Sequence, residues 1–247
     1  MAYVRTALLI AGSAAALAAC GSDTHAPLDP RDPATPPPQT FVPNGVPTPG
    51  AVATNMTFAV LSTGEDHTCG ITTTAQAWCW GVHAIGTTSS WGQRPAYPWP
   101  VDGQRQYVSI AAGRSHTCAT STAGEVFCWG RETPFGAMQG NGSWDAPRRL
   151  DPDPAVTNVV SGGSFSCGLR RGAAVCWGHN LWGELGSGDP LPAARQAAVS
   201  GGLRFKRLGS VIGHTICGIT DDDRLFCWGR GDLGQLGAGA PDSCYGG

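Results

Sequence analysis

The sequence predicts an all-β fold, a β-propeller assembled from repeated four-stranded blades. The tripeptide Cys-Trp-Gly recurs at 79–81, 128–130, 176–178 and 227–229. Another cysteine precedes each copy, and these earlier cysteines are spaced 49, 49 and 50 residues apart. The repeats contain short β-forming segments and no sustained helical period. A repeat of about 50 residues with room for four short strands is typical of a propeller blade.

Each repeat begins with an apolar or aromatic residue, at Phe58, Tyr107, Val156 and Phe205. A glycine-containing turn, a strand with the first cysteine, a hairpin turn and a strand ending in Cys-Trp-Gly follow in that order. A long loop rich in glycine and proline completes the unit. The sequence therefore divides into repeats at about 57–105, 106–154, 155–203 and 204–247.

The cysteine spacing fits a tight hairpin. In the second repeat a three-residue loop over 122–124 pairs Ser121 with Glu125, and counting outward places Cys118 opposite Cys128. The last loop residue is a glycine, which suits the positive φ of this position. Directly opposed cysteines of an antiparallel pair lie within disulfide reach. This register predicts an intra-hairpin disulfide.

The other three repeats give the same register with different loops. Residues 171–172 form a two-residue loop, 221–223 a loop of three aspartates, and 73–75 a weaker turn of Thr-Thr-Ala. The predicted disulfides are Cys69–Cys79, Cys118–Cys128, Cys167–Cys176 and Cys217–Cys227. Each stabilises the fold by about 2–3 kcal/mol and requires an oxidising compartment.

The N-terminus predicts secretion and lipid attachment. Arg5 precedes an apolar run over 7–19, which is too short for a membrane span and is typical of a signal peptide. The run ends in Leu-Ala-Ala-Cys20, which resembles a bacterial lipobox, so 1–19 is read as a lipoprotein signal peptide and Cys20 as the lipidated residue. An ordinary signal peptide is the alternative. The glycine after Cys20 favours the outer membrane of a Gram-negative cell.

Residues 20–56 predict a solvated tether, because prolines are frequent there and large apolar side chains are scarce. The folded part is expected over 57–247. Sixteen basic residues against eighteen acidic ones, with no basic run, argue against nucleic acid as a partner.

The segment 112–119 (Ala-Gly-Arg-Ser-His-Thr-Cys-Ala), followed by 124–130 (Gly-Glu-Val-Phe-Cys-Trp-Gly), resembles an RCC1 repeat in its cysteine-bearing bacterial form. Residues 229–237 end in Gly-Gln-Leu-Gly, which resembles the signature closing such repeats, and 183–186 is a variant of it. The resemblance covers about 57–239. The first two repeats lack this signature, and the third has Phe165 where the first two have histidine.

The resemblance implies a seven-bladed ring, whereas four repeats are present, so we expect a truncated or incomplete ring. Cys244 stays unpaired after the four hairpin disulfides and Cys20 are assigned. Its partner and further blades are expected beyond residue 247. A closed four-bladed ring and a dimer that completes the ring are the alternatives, and an open array of blades would favour self-association.

No catalytic motif, phosphate loop or cofactor motif is found, so the sequence predicts no enzyme activity and no cofactor. His67 and His116 lie near cysteines, but the predicted disulfides leave no zinc site, and we expect these histidines to hydrogen-bond the turns between blades. The aspartates at 221–223 are read as a solvated turn rather than a calcium site. No metal is expected.

The tryptophans after the second cysteines repeat with the blade, which predicts core packing. The tryptophans outside this pattern lie in long loops and are candidate anchors for a ligand, or pack beneath their own loops: Trp91, Trp99, Trp144 and Trp182. The predicted function is a membrane-tethered scaffold, displayed at the cell surface, that binds a protein or a glycan. Inhibition of a secreted enzyme is the alternative. Guanine-nucleotide exchange, implied by the resemblance, fits poorly because a secreted chain does not meet a cytosolic GTPase.

Overall fold

Fifteen short antiparallel strands build four consecutive sheets in the part of the chain that the computed structural model describes, residues 55–82, 95–131, 144–150, 155–189, 193–210 and 213–238. Blade 1 comprises β1 (Phe58–Thr63), β2 (His67–Thr72), β3 (Ala77–Gly81) and β4 (Trp99–Pro100). Blade 2 comprises β5 (Tyr107–Ala112), β6 (His116–Ser121), β7 (Val126–Gly130) and β8 (Trp144–Arg149). Blade 3 comprises β9 (Val156–Ser161), β10 (Phe165–Arg170), β11 (Ala173–Gly178) and β12 (Ala193–Ala198). Blade 4 comprises β13 (Phe205–Ser210), β14 (Thr215–Thr220) and β15 (Leu225–Gly229).

Each blade is a meander in which sequence neighbours pair. The predicted hairpin turns are present: the Ser121 amide donates to the Glu125 carbonyl at 2.8 Å, and Gly124 has a φ of 79°. The two-residue loop of blade 3 has positive φ at Arg171 (50°) and Gly172 (84°), as a tight hairpin turn requires. Residue pairing therefore follows the register counted from the sequence.

The fourth strands correct one prediction. The sequence pattern predicts that Trp99 and Trp144 lie in long loops, but their backbones begin β4 and β8, which pair with β3 and β7. The long glycine- and proline-rich segment thus supplies the last strand of its own blade. Sequence pattern missed these strands because β4 is two residues long and contains proline, which local propensity disfavours.

The glycine of Cys-Trp-Gly is required by the backbone. Its φ is 102° in Gly81 and 95° in Gly229, in the left-handed region. A Cβ at Gly81 would lie 2.4 Å from the Asp66 carbonyl oxygen, and one at Gly229 would lie 2.2 Å from that of His214. No other residue fits this close approach between the end of one strand and the turn before its partner, which explains why the glycine of the tripeptide recurs in every blade.

The core lies between the blades. Three clusters of buried apolar side chains fill the boundaries between blades 1 and 2, 2 and 3, and 3 and 4. The strands β6 and β7 of blade 2 are buried at every residue, because both faces of that sheet are covered. In β1, half-buried residues alternate with exposed ones, and in β14 half-buried residues alternate with buried ones. Among the described residues, one face of blade 1 and one face of blade 4 are therefore less covered than the other.

Candidate functional site

Four disulfides join the pairs that the hairpin register predicts. They link Cys69–Cys79, Cys118–Cys128, Cys167–Cys176 and Cys217–Cys227, with Cα–Cα distances of 4.0 to 4.1 Å. The six cysteines of blades 1 to 3 are fully buried, because each bond faces the next blade. Cys217 and Cys227 are half-buried, since no blade among the described residues covers the face of blade 4 that carries them.

A histidine links each of the first two blades to a hydroxyl of the next blade. Nε2 of His67 lies 2.8 Å from Oγ1 of Thr117, and Nε2 of His116 lies 2.9 Å from Oγ of Ser166. The hydroxyl partner lies on the neighbouring strand, and backbone groups of Phe165 and Gly163 also act on the His116 ring, Gly163 lying in the turn before that strand. Burial lowers the pKa of His116 to about 4, and repulsion by His67 acts in the same direction. The ring is therefore neutral at neutral pH.

The third boundary replaces this polar pair with an apolar one. Phe165 stands at the histidine position of blade 3 and Ile216 at the hydroxyl position of blade 4, and both are buried in the same cluster. The change is paired: where the next blade offers no hydroxyl, the preceding blade has no histidine. A buried histidine beside Ile216 would lose its hydrogen bond at Nε2, which explains the concerted substitution.

One inserted residue in blade 4 gives His214 a different partner. Because of the insertion, Thr215 pairs with Gly229 at the position that His116 occupies opposite Gly130. His214 moves into the turn, where its Nδ1 lies 2.9 Å from Oε1 of Glu184. The carboxylate belongs to the Gly-Glu-Leu-Gly variant of blade 3, so this contact crosses the third boundary.

Glu184 fixes the loop of blade 3 that carries Trp182. Its side chain is fully buried, its Oε2 accepts the Trp182 amide at 2.8 Å, and its carbonyl accepts Nε1 of Trp228 at 3.0 Å. Nδ1 of His179 lies 3.9 Å from Oε1 of the same carboxylate. A buried carboxylate requires such partners, and here they hold one loop rigidly against the next blade. No local sequence pattern predicts this centre; the inserted residue and the glutamate in place of glutamine are the signals that could have indicated it.

Among the predicted anchors in the described part of the chain, Trp182 contacts both a charged and an aromatic side chain of the next blade. Its indole is half-buried, the Arg230 guanidinium lies 4.5 Å from its ring centroid, and the His214 ring lies 6.0 Å away. Arg230 is held by a two-point ion pair with Asp232, at 2.7 and 2.8 Å. Leu181 and Leu233, beside these residues in the chain, are 75% and 79% exposed. We refer to Leu181, Trp182, His214, Arg230 and Leu233 as the Trp182 surface.

The other predicted anchors differ. Trp99 is half-buried and stacks on Tyr97, with ring centroids 6.1 Å apart. Trp144 is placed by its backbone alone, and Trp91 lies outside the described residues, as do Cys20 and Cys244. Of the repeated tryptophans, Trp129 and Trp177 are fully buried as predicted, whereas Trp80 and Trp228 are half-buried.

The aspartate turn of blade 4 is a solvated, charge-paired hairpin tip. Asp221 pairs with Nε of Arg204 at 3.3 Å, Asp222 with Nε of Arg224 at 2.7 Å, and Asp223 with Lys206. The carboxylates that would have to bind a calcium ion are therefore already paired with basic side chains. No group of three or more metal-ligating side chains occurs in the described part of the chain. No helix there could cross a membrane.

Comparison with protein families identifies the repeat. The family model described as regulator of chromosome condensation (RCC1) repeat matches residues 107–135. The human E3 ubiquitin-protein ligase HERC2 is 36% identical over 95 residues, which are 36% of this chain and 2% of that protein. The Ultraviolet-B receptor UVR8 of Arabidopsis thaliana is 32% identical over 91 residues, 36% of this chain and 21% of the receptor. These relatives are therefore matched over a small part of their length.

Solved structures show the same fold. Human WBSCR16 superposes with a TM-score of 0.64 at 20% identity, covering 76% of this chain and 51% of that one. Prp20p from Saccharomyces cerevisiae superposes with a TM-score of 0.62 at 18% identity, covering 72% of this chain and 45% of that one. The ectodomain of the receptor kinase CR4 from Physcomitrella patens superposes with a TM-score of 0.51 at 27% identity, covering 77% of this chain and 45% of that one. The chain spans about half the length of these propellers, contains an RCC1 repeat at 107–135 and shares with them a fold of consecutive antiparallel blades.

Proposed function

We propose that this chain is a non-catalytic scaffold that binds a protein partner through the Trp182 surface. The observation that carries the proposal is the combination of a half-exposed tryptophan stacked on an arginine with two leucines that are at least three-quarters exposed. Tryptophan and arginine are the residues most enriched where binding energy concentrates in protein interfaces. Leucines with so much exposed surface gain free energy when a partner covers them.

The rigidity of the support favours binding. Glu184 holds the loop against blade 4 through hydrogen bonds, and disulfides cross-link the hairpins of blades 3 and 4. A surface ordered before association loses little conformational entropy when a partner binds. The charge of Arg230 is already matched by Asp232, so the surface presents an aromatic and apolar patch with a polar rim rather than a net charge. These properties favour a folded protein over an anionic ligand.

Comparison with relatives supports the same class of partner. The structural relative Prp20p is described with its binding properties to Gsp1p and histones, and yeast RCC1 (Prp20) has been solved with Kap60 bound. Those partners belong to the relatives and are not transferred to this chain. What transfers to the proposal is that propellers of this repeat type bind proteins.

The location is part of the proposal. The apolar run over 7–19, the cysteine at position 20 and the proline-rich segment that follows support a lipid-anchored protein held away from the outer membrane. The Cys20→Ser variant is expected to leave the membrane fraction and appear in the soluble fraction. Unchanged membrane association of this variant would argue against the anchor while leaving the binding surface untested, so the two are measured separately.

Binding is tested by affinity capture from envelope extracts with the full chain and with the double variant Trp182→Ala, Leu181→Glu. The partner identified by mass spectrometry should be lost with the double variant. Val108→Glu is the matched control, because Val108 is 55% exposed on blade 2 and outside the Trp182 surface. Equal capture by all three proteins would refute the assignment. A captured secreted hydrolase whose activity falls on binding would identify the scaffold as an inhibitor.

A further inference from the structure

The hairpin turns of successive blades lie at the same end of the blades, which we call the hairpin end. The Tyr107 amide, at the start of blade 2, donates to the Ala75 carbonyl in the hairpin turn of blade 1 at 2.8 Å. The same bond joins blade 4 to blade 3, from the Phe205 amide to the Gly172 carbonyl at 2.7 Å. Because neighbouring blades are linked in this way, the side chains around their hairpin turns share one surface.

Basic side chains are concentrated at the hairpin end. Among the described residues there, nine are basic and five are acidic, although the whole chain has a net charge of −2. All the basic residues except Arg170 are exposed: Arg105, Arg148, Arg149, Arg170, Arg171, Arg204, Lys206, Arg207 and Arg224. The acidic residues are Asp102, Glu125, Asp221, Asp222 and Asp223. Counting also Asp151 and Asp153, which lie outside the described residues, leaves the excess positive.

The opposite end, at the turns that precede the second strands, has the reverse charge among the described residues. Its acidic residues are Glu65, Asp66, Glu184, Asp189 and Asp232, and its basic residues are Arg114, Arg131 and Arg230. The Trp182 surface lies at this end, because the Arg230 amide donates to the carbonyl of His214 in such a turn, at 2.9 Å. The positive surface and the Trp182 surface are therefore at opposite ends of the blades.

The basic excess is largest where blades 3 and 4 meet. The Arg204 guanidinium lies over Gly172, since a Cβ there would be 2.8 Å from its Nη2, and Nε of Arg204 lies 3.3 Å from Asp221. Arg171 precedes Gly172 in the same turn and is exposed. Six basic residues of these two blades face the three aspartates of one turn. Ion pairs within this surface therefore leave positive charge for a ligand.

The segment that precedes the folded part joins it at the hairpin end. The Thr57 carbonyl accepts the Thr73 amide, in the hairpin turn of blade 1, at 3.0 Å, and the hydroxyls of the two threonines lie 2.8 Å apart. The proline-rich segment connects this point to Cys20, the residue proposed to carry the lipid. A membrane reached through this segment is present at a raised effective concentration, and the hairpin end is the part of the blades nearest to it along the chain.

We propose that the hairpin end binds the phosphate-bearing headgroups of the membrane to which the chain is anchored, so that the Trp182 surface faces away from that membrane. Each basic residue close to an anionic lipid surface strengthens binding about fivefold. Arginine suits this ligand, because its planar guanidinium forms two parallel hydrogen bonds with a phosphate. The inference rests on the membrane location proposed above, and it leaves the Trp182 surface available to a protein partner.

The soluble Cys20→Ser chain is tested by co-sedimentation with vesicles of equal parts phosphatidylcholine and phosphatidylglycerol. We expect binding that weakens as salt is added, and much weaker binding to phosphatidylcholine alone. Arg171→Glu combined with Arg207→Glu should lower the vesicle partition coefficient at least about thirtyfold. Arg114→Glu combined with Arg131→Glu is the matched control, because it changes the net charge equally at the opposite end. Every variant has the same N-terminal segment, so the affinity of that segment cancels.

Lys206 reports the orientation, because it is the only lysine of the chain and lies at the hairpin end. Its acetylation by a water-soluble ester, followed by peptide mass spectrometry, should be slower with the anionic vesicles than without them. Trp182→Ala combined with Leu181→Glu should leave vesicle binding unchanged. Undiminished acetylation of Lys206 on bound vesicles would overturn the proposed orientation.

Two results would overturn the lipid assignment. Equal weakening by the two charge-reversed pairs would show that binding follows total charge rather than the hairpin end. Binding to polygalacturonate but not to the anionic vesicles would assign the hairpin end to an acidic polysaccharide. The lipid anchor is measured separately by fractionation of Cys20→Ser cells, so its failure and that of the hairpin end give different results. Unchanged thermal unfolding verifies folding, and Arg171→Gln with Arg207→Gln replaces a pair that unfolds.

Discussion

Acidification should destabilise the second blade boundary through His116. This imidazole is fully buried, and its Nε2 lies 2.9 Å from Oγ of Ser166. Burial lowers its pKa from 6.5 to about 4 in the folded chain. The unfolded chain therefore binds a proton at a pH where the folded chain does not. The stability that this histidine contributes is present above pH 6.5 and is lost as the pH falls toward 4.

The size of the effect follows from the two pKa values. One pKa unit corresponds to about 1.4 kcal/mol, so the full loss below pH 4 is about 3 kcal/mol. At pH 5 the folded ring is still mostly neutral while the unfolded one is mostly protonated, and the loss is about 2 kcal/mol. A difference of this size is a large fraction of the stability of an ordinary domain.

Urea unfolding at pH 7.5 and pH 5 measures the effect in the full chain and in His116→Gln. Glutamine keeps a side-chain amide that can bond Ser166 and does not titrate. Groups that do not interact with His116 titrate equally in both proteins, so their contributions cancel in the comparison. The wild type should lose about 2 kcal/mol more than His116→Gln on acidification. Equal losses in the two proteins would refute the assignment of the pH dependence to this buried ring.

Three further predictions test the repeat architecture. Mild reduction followed by alkylation and mass spectrometry should label Cys217 and Cys227 before any cysteine of blades 1 to 3, since those are fully buried; uniform labelling would contradict this. Ala75→Gly should raise the free energy of unfolding by up to about 1 kcal/mol in urea, because Ala75 has a φ of 65°. Phe165→His should lower it by about 2–4 kcal/mol, and adding Ile216→Thr should recover part of the loss; no recovery would refute the paired boundary.

The sequence determines the blade itself. The loops of the hairpins are two or three residues long, and their glycine and aspartate residues suit positive φ at the required positions. Counting outward from such a loop leaves one register, so the pairing of Cys118 with Cys128 follows without any tertiary information. Cys-Trp-Gly is equally local, because the close approach at Gly81 lies within one blade. These features are predictable since all their contacts lie within about 20 residues of chain.

The contacts between blades were decided by the tertiary structure. The partner of His116 is a hydroxyl 50 residues away, and the partner of His214 is a carboxylate 30 residues before it. The half-burial of Trp80, at a position buried in blade 2, likewise depends on whether another sheet stacks on that face. Local pattern fixes which way a side chain points from its strand, but its burial and its hydrogen-bond partner depend on the neighbouring sheet. That sheet is positioned by packing across the whole boundary, which no single repeat encodes.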